Sequence, residues 1–150
     1  MNTVFLNDYY NQLGAKFVTF AGYSMPINFS SGIIKEHQHT RFKCGLFDVS
    51  HMGQMLIPKD KNNFNKLETI IPQNLIQLPI SQSVYSFILN SDGGIVDDCI
   101  ISKVNINSLE YLFLVYNASR KKIDEQIIDN LVSNQIIIKN NSLISLQGPS

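Results

Sequence analysis

Only two cysteines, Cys44 and Cys99, occur in the 150 residues, and neither sits in a CxxC spacing or beside a paired-histidine ligand pattern. That argues against a disulfide scaffold and a structural zinc site, and it fits a reducing compartment, so a cytoplasmic location is expected. Charge of one sign is also lacking: Lys plus Arg number 12 and Asp plus Glu number 12. Without a basic stripe to neutralise phosphates, no nucleic-acid partner is expected. No apolar run approaches the roughly 20 residues of a bilayer span, so no membrane partner is expected either. Residues 1–14 have neither the apolar core of a secretory signal nor the Arg-rich pattern of a transit peptide, and they read as mature structure.

What is present is a globular composition. Hydrophobic residues make up 44% and charged residues 16%, too apolar for disorder, and the length is that of about one domain. Phe5, Tyr9 and Leu13 recur at helical spacing and run into Gly14, a helix stop. Lys16 to Phe20 alternates as a strand, and Ala21 to Pro26 is expected as an irregular loop. Ser30 or Ser31 is expected to cap a helix carrying Ile33, Ile34, His37 and Phe42. Leu46 to Ser50 reads as extended and His51-Met52-Gly53 as a turn.

Beyond that turn, Gln54 to Ile57 reads as a strand closed by Pro58, and Asp60 is placed to cap a helix over Phe64, Leu67 and Ile71. Ser83 to Asn90, Ile95 to Val104 and Glu110 to Asn117 alternate with period two around turn-forming segments and predict an antiparallel meander. A helix over Ser119 to Val132 and a β-branched run at Gln135 to Lys139 follow. The class is therefore α+β: an antiparallel sheet with helices on one face, a split β-α-β-like middle domain, joined to part of a first α+β domain. Leu143 begins another strand, and Gln147 to Ser150 reads as a turn into a further element, so truncation is expected.

The residues most suggestive of chemistry are Asp97 and Asp98, inside an apolar strand behind Gly93-Gly94. Successive strand residues face opposite ways. Asp98 then shares a side with Val96, Ile100 and Val104, and Asp97 with Cys99, Ile101 and Lys103, a candidate charge partner. A carboxylate among aliphatic side chains loses hydration, and such groups cluster at functional sites; the alternative is an Asp bonded to the turn backbone. His37 and His39 stand two apart and cannot face one ion from a helix, so no metal is expected. His51 is a loop histidine open to ligand contact or plain solvation. Tyr85 has a core alternative, Asn117 a helix-capping one, and Gly93-Gly94 is chiefly a tight turn.

Several blocks, taken in order, resemble the glycine cleavage system T-protein family, the aminomethyltransferases. They are Leu13-Gly14-Ala15-Lys16, Phe20 to Pro26, Gly45 to Gln54, Gly93 to Asp98, Val115 to Ala118 and Leu146 to Pro149. Members of that family run to more than twice this length, so the resemblance implies an amino-terminal portion. Residues 1–53 would open a folate-binding first domain, 54–140 form an inserted α+β domain, and 141–150 begin the return. The implied reaction moves the aminomethyl group of the lipoylated H-protein to tetrahydrofolate, releasing ammonia. By residue matching, Asp98 would be the catalytic carboxylate, and Met52, Leu56, Tyr85 and Asn117 would border the folate with it. The chain by itself is expected to be inactive. Two rivals remain open: a folate-dependent demethylase domain, and a non-catalytic folate-binding protein of the iron-sulfur maintenance group.

Overall fold

Residues 1–60 and 62–150 are described by a computed structural model. The chain divides into two units, Met1–His51 with Asn140–Ser150, and Met52–Lys139.

In the first unit, β1 (Asn2–Thr3), β2 (Lys16–Phe20) and β3 (Tyr23–Asn28) form a sheet in the order β1-β3-β2. The expected strand at Lys16 forms, but the stretch through Pro26 is strand as well, not loop. The reversal is confined to Ala21 and Gly22, both at positive φ (48° and 80°). Pro26 is tolerated because β1 reaches only Tyr23 and Ser24, so no ladder donor is needed on its far side.

Helix α1 (Asn7–Gln12) ends before Gly14 as the sequence predicts, yet it does not bury the Phe5-Tyr9-Leu13 stripe. Phe5 is 70% exposed, whereas Tyr10 is 9% exposed. Tyr10 packs with Val4 and Met25, and its hydroxyl donates to Asp48 Oδ2 at 2.8 Å. Burial, then that carboxylate, pushes the phenol well above its ordinary pKa.

Neither Ser30 nor Ser31 caps α2 (Ile33–Phe42); Gly32, at φ 83°, holds that place. The Ser31 hydroxyl donates instead to Glu36 Oε1 at 2.9 Å, and the same oxygen accepts the Phe29 N–H at 2.8 Å. A carboxylate in the first turn is the stronger acceptor and draws the serine away from the backbone. Strand β4 (Gly45–Asp48) pairs antiparallel with β10 (Ile144–Gln147).

The second unit is built on a five-stranded antiparallel sheet in the order β6-β7-β8-β5-β9, where β5 is Gly53–Pro58, β6 Ser83–Leu89, β7 Ile95–Ile106, β8 Leu109–Tyr116 and β9 Ile136–Ile137. The predicted meander is β6-β7-β8. Its second turn uses Asn107 and Ser108 at φ 52° and 67°, the mirror-image geometry that matches strand twist. Met55, Ile57, Ile88, Ile101, Leu112 and Leu114 project from one sheet face into a core shared with α3 (Asn63–Leu67) and α4 (Lys121–Asp129), so the helices cover one face as the α+β reading predicts. Each fully buried aliphatic side chain of that kind is worth about 1.5–3 kcal/mol in removal from water.

Local differences have local causes. Helix α3 stops at Leu67, short of Ile71, since Pro72 biases the residue before it away from helix; Ile71 is buried all the same, at 1% exposure. Helix α4 begins only after a 3-10 turn, Ala118–Arg120. Strand β9 is two residues long because only Met55 and Leu56 of β5 offer it a ladder.

Asp60 performs the capping role expected of it, its Oδ1 accepting the N–H groups of Asn62 and Asn63 at 3.0 and 2.8 Å. Asn63 is fully buried and ties the start of α3 to the segment after α4: Nδ2 donates to the carbonyls of Pro58 (3.1 Å) and Ser133 (2.8 Å), and Oδ1 accepts the Ser133 N–H (3.0 Å). Asn63→Ala leaves three buried backbone groups without partners and should cost roughly 2–4 kcal/mol in chemical denaturation. An unchanged midpoint would show these bonds to be replaceable.

Candidate active site

The strand that carries Asp97 and Asp98 is bulged just ahead of them. Ile88 pairs with Asp97 while Leu89 pairs with Ile95, so Val96 has no opposite residue and packs against the core instead. Bulges re-aim side chains next to functional sites. Past the bulge the alternation holds: Asp97, Cys99, Ile101 and Lys103 face the helix-covered core, and Asp98, Ile100 and Val104 face the other way.

Which aspartate is desolvated differs from expectation. Asp97 is the buried one, 9% exposed, and Asp98 is half-buried on the sheet face that α3 and α4 leave open, with Ile100 46% and Tyr85 58% exposed on the same face. The alternation gave their opposition correctly, but the position of the helices decides which side is core. Nor does Lys103 pair with Asp97. It is buried, donates from Nζ to the Ile76 carbonyl at 2.8 Å, and lies 5.6 Å from the Phe64 ring centroid.

Asn117 joins the two carboxylates. It stands at the end of β8, before the 3-10 turn, where capping was the alternative, but its side chain makes no cap bond. Its Nδ2 donates to Asp97 Oδ1 and to Asp98 Oδ1, each at 2.9 Å. Carboxylates only accept, so both amide hydrogens are committed to them and the amide oxygen lies on the opposite arm of the fork.

Tyr85 completes the cluster. Its ring meets Phe87 edge-on at 5.5 Å, and desolvation first, then the interaction with the neighbouring Asp98 carboxylate, raises the phenol's pKa. Leu56 lies half-buried on the same open face, two strands from β7 across β8 and level with Ser102, so it stands about 16 Å from Asp98 at normal strand spacing and rise. Met52 is half-buried in the bend that leads into β5. The open face is thus a largely apolar floor of Leu56, Phe87, Ile100, Phe113 and Val115 with a polar corner made by Asp98, Asn117 and Tyr85.

Beneath that corner lies a group the sequence reading missed. Asp124 of α4 is fully buried beside Asp97; burial, then the interaction with Asp97, pushes its carboxyl up to about 7. The signal was available, since Asp124 stands four residues before the buried Ile128 on the apolar stripe of its helix. Arg120, also missed, donates to the Val96 carbonyl at 3.2 Å, at the bulge.

The histidines lie elsewhere. His39 Nε2 is 3.0 Å from the Cys44 carbonyl, and His51 is buried edge-on against the rings of Phe20 and Tyr23. Among the described residues no three His, Cys, Asp or Glu side chains converge as a metal site would need. The first unit has a cleft of about 670 Å³ between α2, β3 and β4, lined by Tyr10, Pro26, His37, Arg41 and Asp48 among others.

Residues 6–150 match the family described as the GCVT N-terminal domain. The chain is 37% identical to the mitochondrial aminomethyltransferase of Dictyostelium discoideum over 97% of its own length and 38% of that protein's. It is 39% identical to the aminomethyltransferase of Shouchella clausii, over 96% of this chain and 39% of the relative. The crystal structure of glycine cleavage system aminomethyltransferase T from Bartonella henselae superposes with a TM-score of 0.87 at 34% identity, covering 99% of this chain and 41% of that one. The chain therefore spans about two fifths of the length of these relatives.

Proposed function

The chain belongs to the GCVT N-terminal domain family of aminomethyltransferases, and from that membership we propose that it contributes the catalytic carboxylate and one wall of a tetrahydrofolate site for aminomethyl transfer. The observation that carries the reading is the placement of Asp98 on an open, apolar sheet face with the Asn117 amide fixed beside it. A flat ring rich in N–H and carbonyl groups needs such a surface: an apolar floor for its faces and a few convergent polar groups for its edge. Leu56 and Met52 supply apolar border, Tyr85 packs or orients, the Asn117 oxygen is left to accept an N–H, and Asp98 accepts from a ring-linked amine.

In the proposed reaction the donor is the aminomethylated dihydrolipoyl arm of H-protein. Its methylene carbon loses its bonds to sulfur and to the amino nitrogen and gains bonds to two folate nitrogens. Those nitrogens give up two protons, one leaving with ammonia and one with the regenerated thiol. Asp98 holds the attacking amine by its N–H and stabilises the positive charge that develops as the new C–N bond forms. Residues 1–53 would open the first domain, residues 54–140 form the second, and residues 141–150 begin the return. Two free cysteines, one of them buried, suit the cytoplasm.

Calorimetric titration of tetrahydrofolate into the 150-residue chain tests the binding half of this reading. Weak, saturable binding is expected, since much of an enclosing pocket is not supplied by this face. Asn117→Ala and Leu56→Ala should each weaken it about 5- to 30-fold, the effect of 1–2 kcal/mol. Binding indifferent to both substitutions would remove the open face as the site.

A further inference from the structure

Asn117 can orient a ligand only if its own amide is held one way round, and what holds it lies on the core side of the sheet. Its nitrogen is anchored by Asp97 Oδ1, and Asp97 is in turn anchored by α4. Asp97 Oδ2 and both Asp124 oxygens are buried and meet no N–H or hydroxyl donor among the described residues. Two carboxylates in contact and out of water repel one another, unless one carries a proton and donates it to the other. We propose that Asp97 and Asp124 form a one-proton carboxyl pair that acts as a positioning device, clamping the Asn117 amide and through it Asp98 for the transfer reaction. It rests on the proposed function above for the task that Asp98 performs.

The neighbours on every side favour a single shared proton. From the helix side Arg120 offers a cation that lowers the Asp124 pKa, whereas Glu125 raises it. Glu125 also accepts the Tyr116 hydroxyl at 2.9 Å. From the sheet side Cys99 lies close, its thiol pushed up to about 12 by burial and then by Asp124, Asp97 and Asp98, so it stays neutral. Above the pair stand Asn117, Asp98 and Tyr85. With Asp124 protonated, one of its oxygens donates to Asp97 Oδ2, two of the three orphaned oxygens are satisfied, and Asp97 Oδ1 is left to serve the amide. Once Asp124 ionises, around pH 7, Asp97 loses its donor and gains a repelling neighbour, and the clamp on Asn117 relaxes.

The proposal predicts a titration visible at an uncharged group. In the 150-residue chain the side-chain amide resonances of Asn117 should shift with a midpoint near pH 7 and follow the carboxyl carbon of Asp124. Asp124→Asn supplies a permanent donor of the same shape, so the Asn117 resonances should stop titrating and stay near their low-pH positions. Asp97→Asn should also abolish the titration and serves if the first variant does not fold. An Asn117 amide that ignores pH in the unsubstituted chain, or that titrates unchanged in these variants, overturns the proposal.

In a family-length polypeptide carrying these 150 residues, kcat/KM should fall through the midpoint to a lower plateau, by no more than the about 5- to 30-fold expected for loss of Asn117, and Asp124→Asn should remove that limb. An alkaline limb that persists in Asp124→Asn also overturns the proposal. A normal Asn117 titration in a polypeptide that transfers no aminomethyl group would instead sink the proposed function and leave the clamp standing.

Discussion

Asp98→Asn, assayed in a family-length polypeptide that carries this chain, is expected to lower the rate of ammonia release from aminomethylated H-protein about 10²- to 10⁴-fold, the usual range for a positioned acid-base group. The substitution keeps the shape of the side chain and one oxygen, so the Asn117 Nδ2 bond to position 98, 2.9 Å long here, can persist. It removes the negative charge, which matters most when positive charge builds on the attacking amine. The loss should therefore appear in kcat, while tetrahydrofolate affinity changes by less than about tenfold, as for an interaction realised in the transition state. Asn117→Ala should show the opposite balance, weakening folate binding more than turnover of the bound complex. If Asp98→Asn turns over within a factor of a few of the unsubstituted protein, the carboxylate is not the catalytic group and the open face is at most a binding surface.

How much of this was legible depended on whether the information was local. The period-two runs from Ser83 to Asn117 specified β6, β7 and β8 because alternation and turn residues act within a few positions of one another. The opposed facing of Asp97 and Asp98 was legible for the same reason. The identity of the buried aspartate was not, because it depends on which sheet face α3 and α4 cover. The bulge at Val96 was hidden too: a strand and its one-residue slip look alike until a partner is paired with it. Tyr23 to Pro26 misled through a strong local signal, a Gly and a Pro, that β2 overrode by pairing across it. Asp124 went unnoticed although its place on an apolar stripe marked it. A charged residue there is costly unless something shares its burden, and the partner, Asp97, lies 27 positions away in sequence.

Gly53→Ala should be among the most destabilising single-methyl additions available in the second unit. Gly53 opens β5 directly across from Tyr116 of β8, and a Cβ built on it would lie 2.0 Å from the ring carbon Cε2, 2.4 Å from Cδ2 and 2.5 Å from Cζ. Carbon atoms settle at about 3.5–4.0 Å, so either the ring or the strand has to move well over 1 Å. The ring is not free to do so. Tyr116 is fully buried in the core, and its hydroxyl is held by Glu125 Oε1.

Overpacking of this kind should cost roughly 3 kcal/mol or more, the upper end of the range for inserted methyl groups, which in a unit of this size lowers the melting temperature by about 10–20 °C. Tyr116→Leu removes the obstructing ring at its own cavity cost. In the double variant the methyl group then has room, so the two losses should sum to less than their separate values by at least about 1 kcal/mol. Because Tyr116 directly precedes Asn117, pushing the ring aside should also loosen the amide that bridges Asp97 and Asp98, and tetrahydrofolate binding should weaken in Gly53→Ala at temperatures where the unit is still folded. Strict additivity in the double variant would mean that the strand, not the ring, yields to the new methyl group, and that Gly53 is needed at the bend for its backbone and not for the space it leaves.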